Sequence, residues 1–347
     1  MKFAIAFVFS LLVFVTSFSS EKENTALIPN PVELGQVNWL RNFAQAQSLA
    51  KKQNKALLIL FQEVPGCSTC RHYGKNVLSH PLIVDAIEHE FIPLAIYNNK
   101  GGEDKKVLKA FGEPAWNNPV VRIINADGKA LSPRIAAKYT PLDLVEGMQV
   151  ALNNHQQSVP AYLKSLGAQL AGERVETETA TFGMYCFWSG ESKLGNINGV
   201  LSSKPGFMNG GEVVSVEYNP DVISYEELTK IATKKSCYDR ILVHSDEQKA
   251  IAQKWSKSVK KAGKFRLDKD PQYYLSKSVY RFLPLLPIQA SQINSKLARR
   301  ETVGDLLSPS QRNMLKSIQK SPNKDWKVRY DNKYFAASWE AMETQIK

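Results

Sequence analysis

The sequence predicts two successive folded domains, the first α/β and the second α+β, followed by a helical C-terminal extension. Three observations carry that expectation. Short apolar runs alternate with helix-period stretches from about residue 35 to residue 155, a second composition begins at Thr179, and the pattern beyond residue 280 is helical. A chain of 347 residues is long enough for this, because single domains ordinarily take roughly 100–200 residues. The divisions expected are a leader over 1–20, domains over 35–155 and 179–280, a helical connector over 156–178 and the extension over 281–347.

Composition, at 43% hydrophobic and 22% charged, is that of an ordinary globular protein and excludes collagen-like and disordered classes. The formal net charge of +12 comes in part from segments such as "KWSKSVKKAGKFR". These lysines are dispersed among helix-like stretches with no nucleic-acid signature beside them, so a solvated basic surface is expected and no nucleic-acid partner. At the N-terminus, Lys2 precedes the apolar run "FAIAFVFSLLVFV" and then a zone of small residues in which Ser17 and Ser19 flank a plausible cut. That order is a secretory signal, and the run is shorter than the ~20 apolar residues of a membrane span. The expectation is an exported chain, periplasmic or secreted, with no membrane span after cleavage.

Within the first domain, "VNWLRNFAQAQSLAKKQNK" has helical spacing and ends in lysines, which suit a helix C-terminus. "ALLILFQE" is a continuous apolar run of the kind a fully buried strand shows. The pair Cys67 and Cys70 follows directly, and "RHYGKNVLSHPLIVDAIEHEF" reads as helix broken near Pro81. "FIPLAIYN" is a second strand. "NNPVVRIINADGKALSPRI" is a strand, a turn at Asp127-Gly128 and a return strand. "TPLDLVEGMQVALNN" closes the unit as a capped amphipathic helix.

Strand, C-x-x-C, helix and a proline just before a later strand resemble the thioredoxin fold over residues 35–155. "VPGCSTC" is also similar to thioredoxin-like proteins with Val-Pro-Gly ahead of a reactive cysteine. The resemblance implies that Pro119 is the cis proline beside the cysteine pair, Cys67 the attacking thiol and Cys70 its resolving partner. Gly66 stands where thioredoxins have an aromatic residue. A structural disulfide and a zinc half-site are the alternatives for this pair. The second needs two further ligands, and His72 is the nearby histidine. No complete ligand set for a metal, and no cofactor motif, is present in the sequence.

The stretch "ATFGMYCFWSGESKLGNINGVLSSKPGFMNGGEVVSVEYNPDVISYEELTKIA", with "GKFRLDKDPQYYLSKS" downstream, resembles the A-type peptide methionine sulfoxide reductases, a ferredoxin-like α/β domain here spanning 179–280. The resemblance implies that Cys186 is the nucleophile, Glu212 the proton donor, and Phe187 and Trp188 the wall of a methyl pocket. Tyr238 matches one of two tyrosines that hold the sulfoxide oxygen. The other has no counterpart, the loop between "GF" and "GGE" is shortened, and Tyr185 stands where the family has glycine. Cys237 is a candidate resolving cysteine, with buried packing as its alternative. Glu191 reads as helix surface.

Reduction of a sulfoxide needs a soft nucleophile, an acid for the departing oxygen and an apolar site for the methyl group. A lone cysteine is ordinarily a packing residue, but Cys186 sits among partners that supply all three. The function expected is an exported thiol oxidoreductase that reduces peptide methionine sulfoxide at Cys186, with Cys67/Cys70 as relay. Its partners would be an oxidised protein or peptide and a donor of electrons to Cys67/Cys70. A thiol-disulfide oxidoreductase with a degenerate second domain is the first alternative. A non-catalytic binding module is the second.

Overall fold

The computed structural model describes residues 30–116, 118–330 and 334–346, so the leader expected over 1–20 lies outside the described residues. No helix among them is long and apolar enough to cross a membrane.

A 3-10 turn at Val32–Leu34 leads to α1 (Phe43–Gln53), β1 (Ala56–Gln62), α2 (Ser68–Asn76), α3 (Pro81–Glu90) and β2 (Phe91–Tyr97). Then follow α4 (Gly102–Ala110), β3 (Val120–Ile124), β4 (Ile135–Ala136) and α5 (Pro141–Asn154). The sheet runs β2-β1-β3-β4, with β2 parallel to β1 and the other pairs antiparallel. This is the thioredoxin-like arrangement. Every residue of β1 is buried because helices cover both faces, which is why its sequence reads as an unbroken apolar run. Leu57, Ile59 and Phe61 face α1 and α4, whereas Leu58 and Leu60 face α2, α3 and α5.

Two local expectations shift. The first helix starts only at Phe43, capped by Asn42, because Leu40 upstream bridges to Leu94 of β2. The return strand after Asp127-Gly128 is reduced to one bridge at Ala130 and two residues of β4. Pro133 lies between them and has no N–H to offer a ladder. The last helix has its cap as expected, with Thr140 and Asp143 forming a reciprocal capping box.

The connector holds α6 (Ala161–Gly172), whose Tyr162, Leu163 and Leu166 join the core of the first domain. The second domain comprises β5 (Glu178–Met184), α7 (Phe187–Leu194), β6 (Val200–Met208), β7 (Gly211–Tyr218), α8 (Tyr225–Thr233) and β8 (Tyr238–Val243). Then come α9 (Asp246–Trp255), β9 (Val259–Lys261), β10 (Arg266–Leu267) and the short α10 (Tyr273–Ser276). Sheet order is β10-β6-β7-β5-β8-β9. Its centre is a β-α-β-β-α-β unit with the ferredoxin-like order, extended by one short strand on each edge.

The extension carries α11 (Pro287–Ala298), α12 (Pro309–Lys320) and α13 (Phe335–Ile346). It joins the two domains. α11 packs on α7, β6 and α6, while α12 packs on α3, where Ser310 donates from its N–H and hydroxyl to Asp85 at 3.0 and 2.6 Å. The apolar residues of α11 and α12 belong to the same core cluster as α3, α5 and α6.

Candidate active site

Two helices begin at a cysteine, one in each domain. In the first domain β1 ends at Gln62, and a five-residue loop delivers Cys67 as the N-cap of α2. The loop is held at three points. Val64 N–H donates to Asn99 Oδ1 at 3.3 Å, Glu63 N–H to Asn118 Oδ1 at 3.4 Å, and Gly66 N–H to Glu33 Oε1 at 2.9 Å. A Cβ on residue 66 would lie 2.5 Å from Glu63 O and 2.7 Å from Cys70 Cβ. The loop leaves no room there for the aromatic residue that thioredoxins carry.

Cys67 is exposed and Cys70 buried, with their sulfurs 3.5 Å apart. The Cys70 backbone N–H, pointing at Cys67, is the largest influence that holds the Cys67 thiol below the ordinary thiol range. Burial, reinforced by the hydrogen bond with Cys67, pushes Cys70 up to about 12. The Cys70 thiol also donates to Asn118 Oδ1 at 2.6 Å, and the Asn118–Pro119 peptide is cis. An exposed, low-pKa thiol in front of a buried, high-pKa one is the asymmetry of an attacking and a resolving cysteine. Trp116, 80% exposed, stands close by in sequence. His72 does not join the pair, since its ring contacts Asn76 on the exposed side of α2. Glu63 takes that place, with a carboxylate oxygen within 4.8 Å of both sulfurs.

In the second domain β5 delivers Cys186, exposed, as the N-cap of α7. Glu212, half-buried at the start of β7, accepts the first N–H of that helix, from Phe187, at 3.0 Å. The Cys186 residue and the Glu212 carboxyl therefore share one helix terminus. Phe187 is buried against Phe207, and its ring centroid is 5.5 Å from that of Trp188. Trp188 is fixed on its other side by stacking on Tyr273 at 4.1 Å and by its indole N–H donating to Asp268 at 3.0 Å. These contacts come from the "LDKDPQYYL" stretch.

Cys237 is buried, its sulfur 3.7 Å from Met184 Sδ and 3.8 Å from Lys193 Nζ. Tyr185 N–H donates to Cys237 O at 2.8 Å, which ties the residue before Cys186 to Cys237. Tyr238 is not brought to the site through its hydroxyl, which donates to Ser256 Oγ instead. Tyr274 is the tyrosine that sequence reasoning missed. Its hydroxyl is pushed up first by burial and then by charge on Cys186, Tyr273, Cys237 and Glu191.

Glu191 corrects an expectation. It is not helix surface but 0% exposed, accepting from Gln272 N–H at 2.9 Å and Asn294 Nδ2 at 3.3 Å. Burial pushes it up to about 8, and these hydrogen bonds oppose the rise. α11 covers the face that the helical pattern leaves open, and that contact spans 103 residues of chain. A cavity of about 640 Å³ lies elsewhere, lined by Gly172, Leu201, Gln272, Ala290 and Tyr330 among others.

A buried-and-exposed cysteine pair on a thioredoxin-like scaffold, joined to a second cysteine-headed helix, defines a thiol oxidoreductase. The family model described as thioredoxin-like matches residues 38–126. A peptide methionine sulfoxide reductase MsrA of Methanococcus maripaludis is 30% identical over 123 residues, covering 26% of this chain and 78% of that protein. One from Nostoc is 31% identical over 123 residues, with coverages of 26% and 76%. A peptide methionine sulfoxide reductase of Drosophila melanogaster is 34% identical over 102 residues, covering 22% of this chain and 42% of that protein. A solved DsbH oxidoreductase aligns with TM-score 0.30 at 17% identity, covering 36% of this chain and 90% of that one. The chain belongs to the A-type peptide methionine sulfoxide reductase family, fused to a thioredoxin-like domain.

Proposed function

We propose that the protein reduces methionine sulfoxide in peptides at Cys186 and uses Cys67/Cys70 to return electrons to that site. The observation that carries this reading is the Glu212 carboxyl on the Phe187 N–H, at the same helix terminus as the Cys186 thiol.

The Cys186 thiolate attacks the sulfoxide sulfur while Glu212 supplies a proton to the oxygen. Phe187 and Trp188 bound the space for the methyl group, and Tyr274 offers a hydroxyl to the oxygen in place of the family tyrosine that the shortened loop lacks. Transfer of the oxygen to Cys186 leaves methionine and a sulfenic acid. Cys237 attacks that sulfur, forming a disulfide and releasing water. Cys67 attacks the disulfide and Cys70 resolves the mixed species, leaving Cys67–Cys70 oxidised for a dithiol donor outside the chain. Lys2, the apolar run to Val15 and the small residues after it support action outside the cytoplasm.

The relay is tested by comparing reductants. Cys67→Ser is expected to retain turnover driven by dithiothreitol and to lose turnover driven by a protein dithiol donor. Equal loss with both reductants contradicts the relay. A second reading, thiol-disulfide exchange alone, draws on Tyr185, which is 76% exposed in the family's glycine position. It predicts disulfide exchange without methionine formation.

A further inference from the structure

The cluster at the head of α2 holds more than a dithiol. Ligand atoms of Glu63, Cys67 and Cys70 all lie within 4.8 Å of one another, and the two sulfurs are 3.5 Å apart. Zinc–thiolate bonds are about 2.3 Å long, so two sulfurs on one tetrahedral ion stand roughly 3.7 Å apart. The existing separation is close to that. Glu63 approaches from the end of β1, and its backbone is tied to Asn118, whose Oδ1 is also 2.6 Å from the Cys70 sulfur. A second oxygen donor therefore borders the cluster. Two thiolates and a carboxylate match a borderline-soft divalent ion, whereas magnesium and calcium select oxygen ligands throughout.

We propose that the reduced Cys67–Cys70 pair and Glu63 form a three-ligand site for a divalent cation of the zinc class, making metal binding and disulfide chemistry alternative states of one centre. On binding, two thiols release two protons, two metal–sulfur bonds form and no electron moves. The disulfide form offers no thiolate, so oxidation closes the site. Occupancy holds the pair reduced and silences the relay. Three protein ligands leave one position for water, as in catalytic zinc sites and unlike the closed four-ligand structural ones.

The test uses the full chain, reduced or oxidised, titrated with zinc against a chromophoric chelator and with cobalt(II) followed by absorption. The expected result is one zinc per reduced chain, none in the oxidised chain, and a cobalt spectrum with tetrahedral and sulfur-to-metal bands. Cys67→Ser, at an exposed position, is expected to abolish binding, and Glu63→Gln to weaken it by about tenfold or more. Zinc is also expected to inhibit insulin disulfide reduction over the concentration range in which it binds. The proposal is overturned if Glu63→Gln binds as tightly as the parent, if binding survives in Cys67→Ser or the oxidised chain, or if the reduced chain takes up no zinc at micromolar concentration. These readouts need no sulfoxide turnover, so their failure is distinct from failure of the sulfoxide reading.

Discussion

Glu212 Oε2 accepts the backbone N–H of Phe187 at 3.0 Å, which sets a carboxyl one residue from the Cys186 thiol and at the same helix start. A proton donor in that position acts on the departing oxygen and not on later thiol exchange. Glu212→Gln is expected to lower kcat/KM for a methionine sulfoxide peptide by roughly 10²- to 10⁴-fold. Reduction of a preformed Cys186 sulfenic acid by dithiothreitol should be unchanged. An equal fall in both steps would mean that the substitution acts on the fold of the site.

Tyr274 and Tyr238 are separated by their surroundings. Burial and then charge on Cys186, with Cys237 among the lesser causes, raise the Tyr274 hydroxyl, while the Tyr238 hydroxyl donates to Ser256. Tyr274→Phe should therefore reduce the rate of methionine formation, by about tenfold for one lost hydrogen bond to developing charge. Tyr238→Phe should leave it within about twofold. The opposite ranking in a single-turnover assay would return the role to Tyr238.

Glu191 gives a pH signature. Its pKa in the fold, about 8, is raised above the ordinary carboxylate value. Its contribution to stability is thus fully present below about pH 4 and is lost as pH rises toward and through 8. Glu191→Gln should remove that slope, worth on the order of a few kcal/mol across the range. Urea denaturation at pH 5, 7 and 9 checks it, and parallel curves for parent and variant would contradict it.

The two cysteines of the first domain should react unequally. Cys67 is held below the ordinary thiol range by the Cys70 N–H, whereas Cys70 is pushed up to about 12 by burial. Lowering the pKa raises the thiolate fraction at a given pH. Iodoacetamide labelling of Cys67 should consequently show its inflection below that of a free thiol, with Cys70 unlabelled at neutral pH. Peptide mapping after timed labelling separates the two, and faster modification of Cys70 would reverse the assignment.

Local signals explain what could be read from the chain. β1 is legible because burial on both faces removes every polar residue but Gln62 at its end, and α5 because Thr140 and Asp143 write its cap. α4 escapes a pattern reading, since only Val107 and Leu108 of its nine residues are buried. Cys67, Cys70, Cys186 and Glu212 stand out by motif and order. Glu191 and Tyr274 do not, because their surroundings arise from contacts made across the fold. The packing of α11 on α7 buries Glu191, and the stacking of Tyr273 on Trp188 brings Tyr274 with it.

The central claim is that Cys186 reduces methionine sulfoxide. Steady-state turnover of a methionine sulfoxide peptide with dithiothreitol, scored by the methionine formed, tests it most directly. The parent chain is predicted to turn over and Cys186→Ser to show none, while keeping its Cys67/Cys70 disulfide exchange. Undiminished methionine formation in Cys186→Ser, or none in the fully reduced parent, would contradict the account.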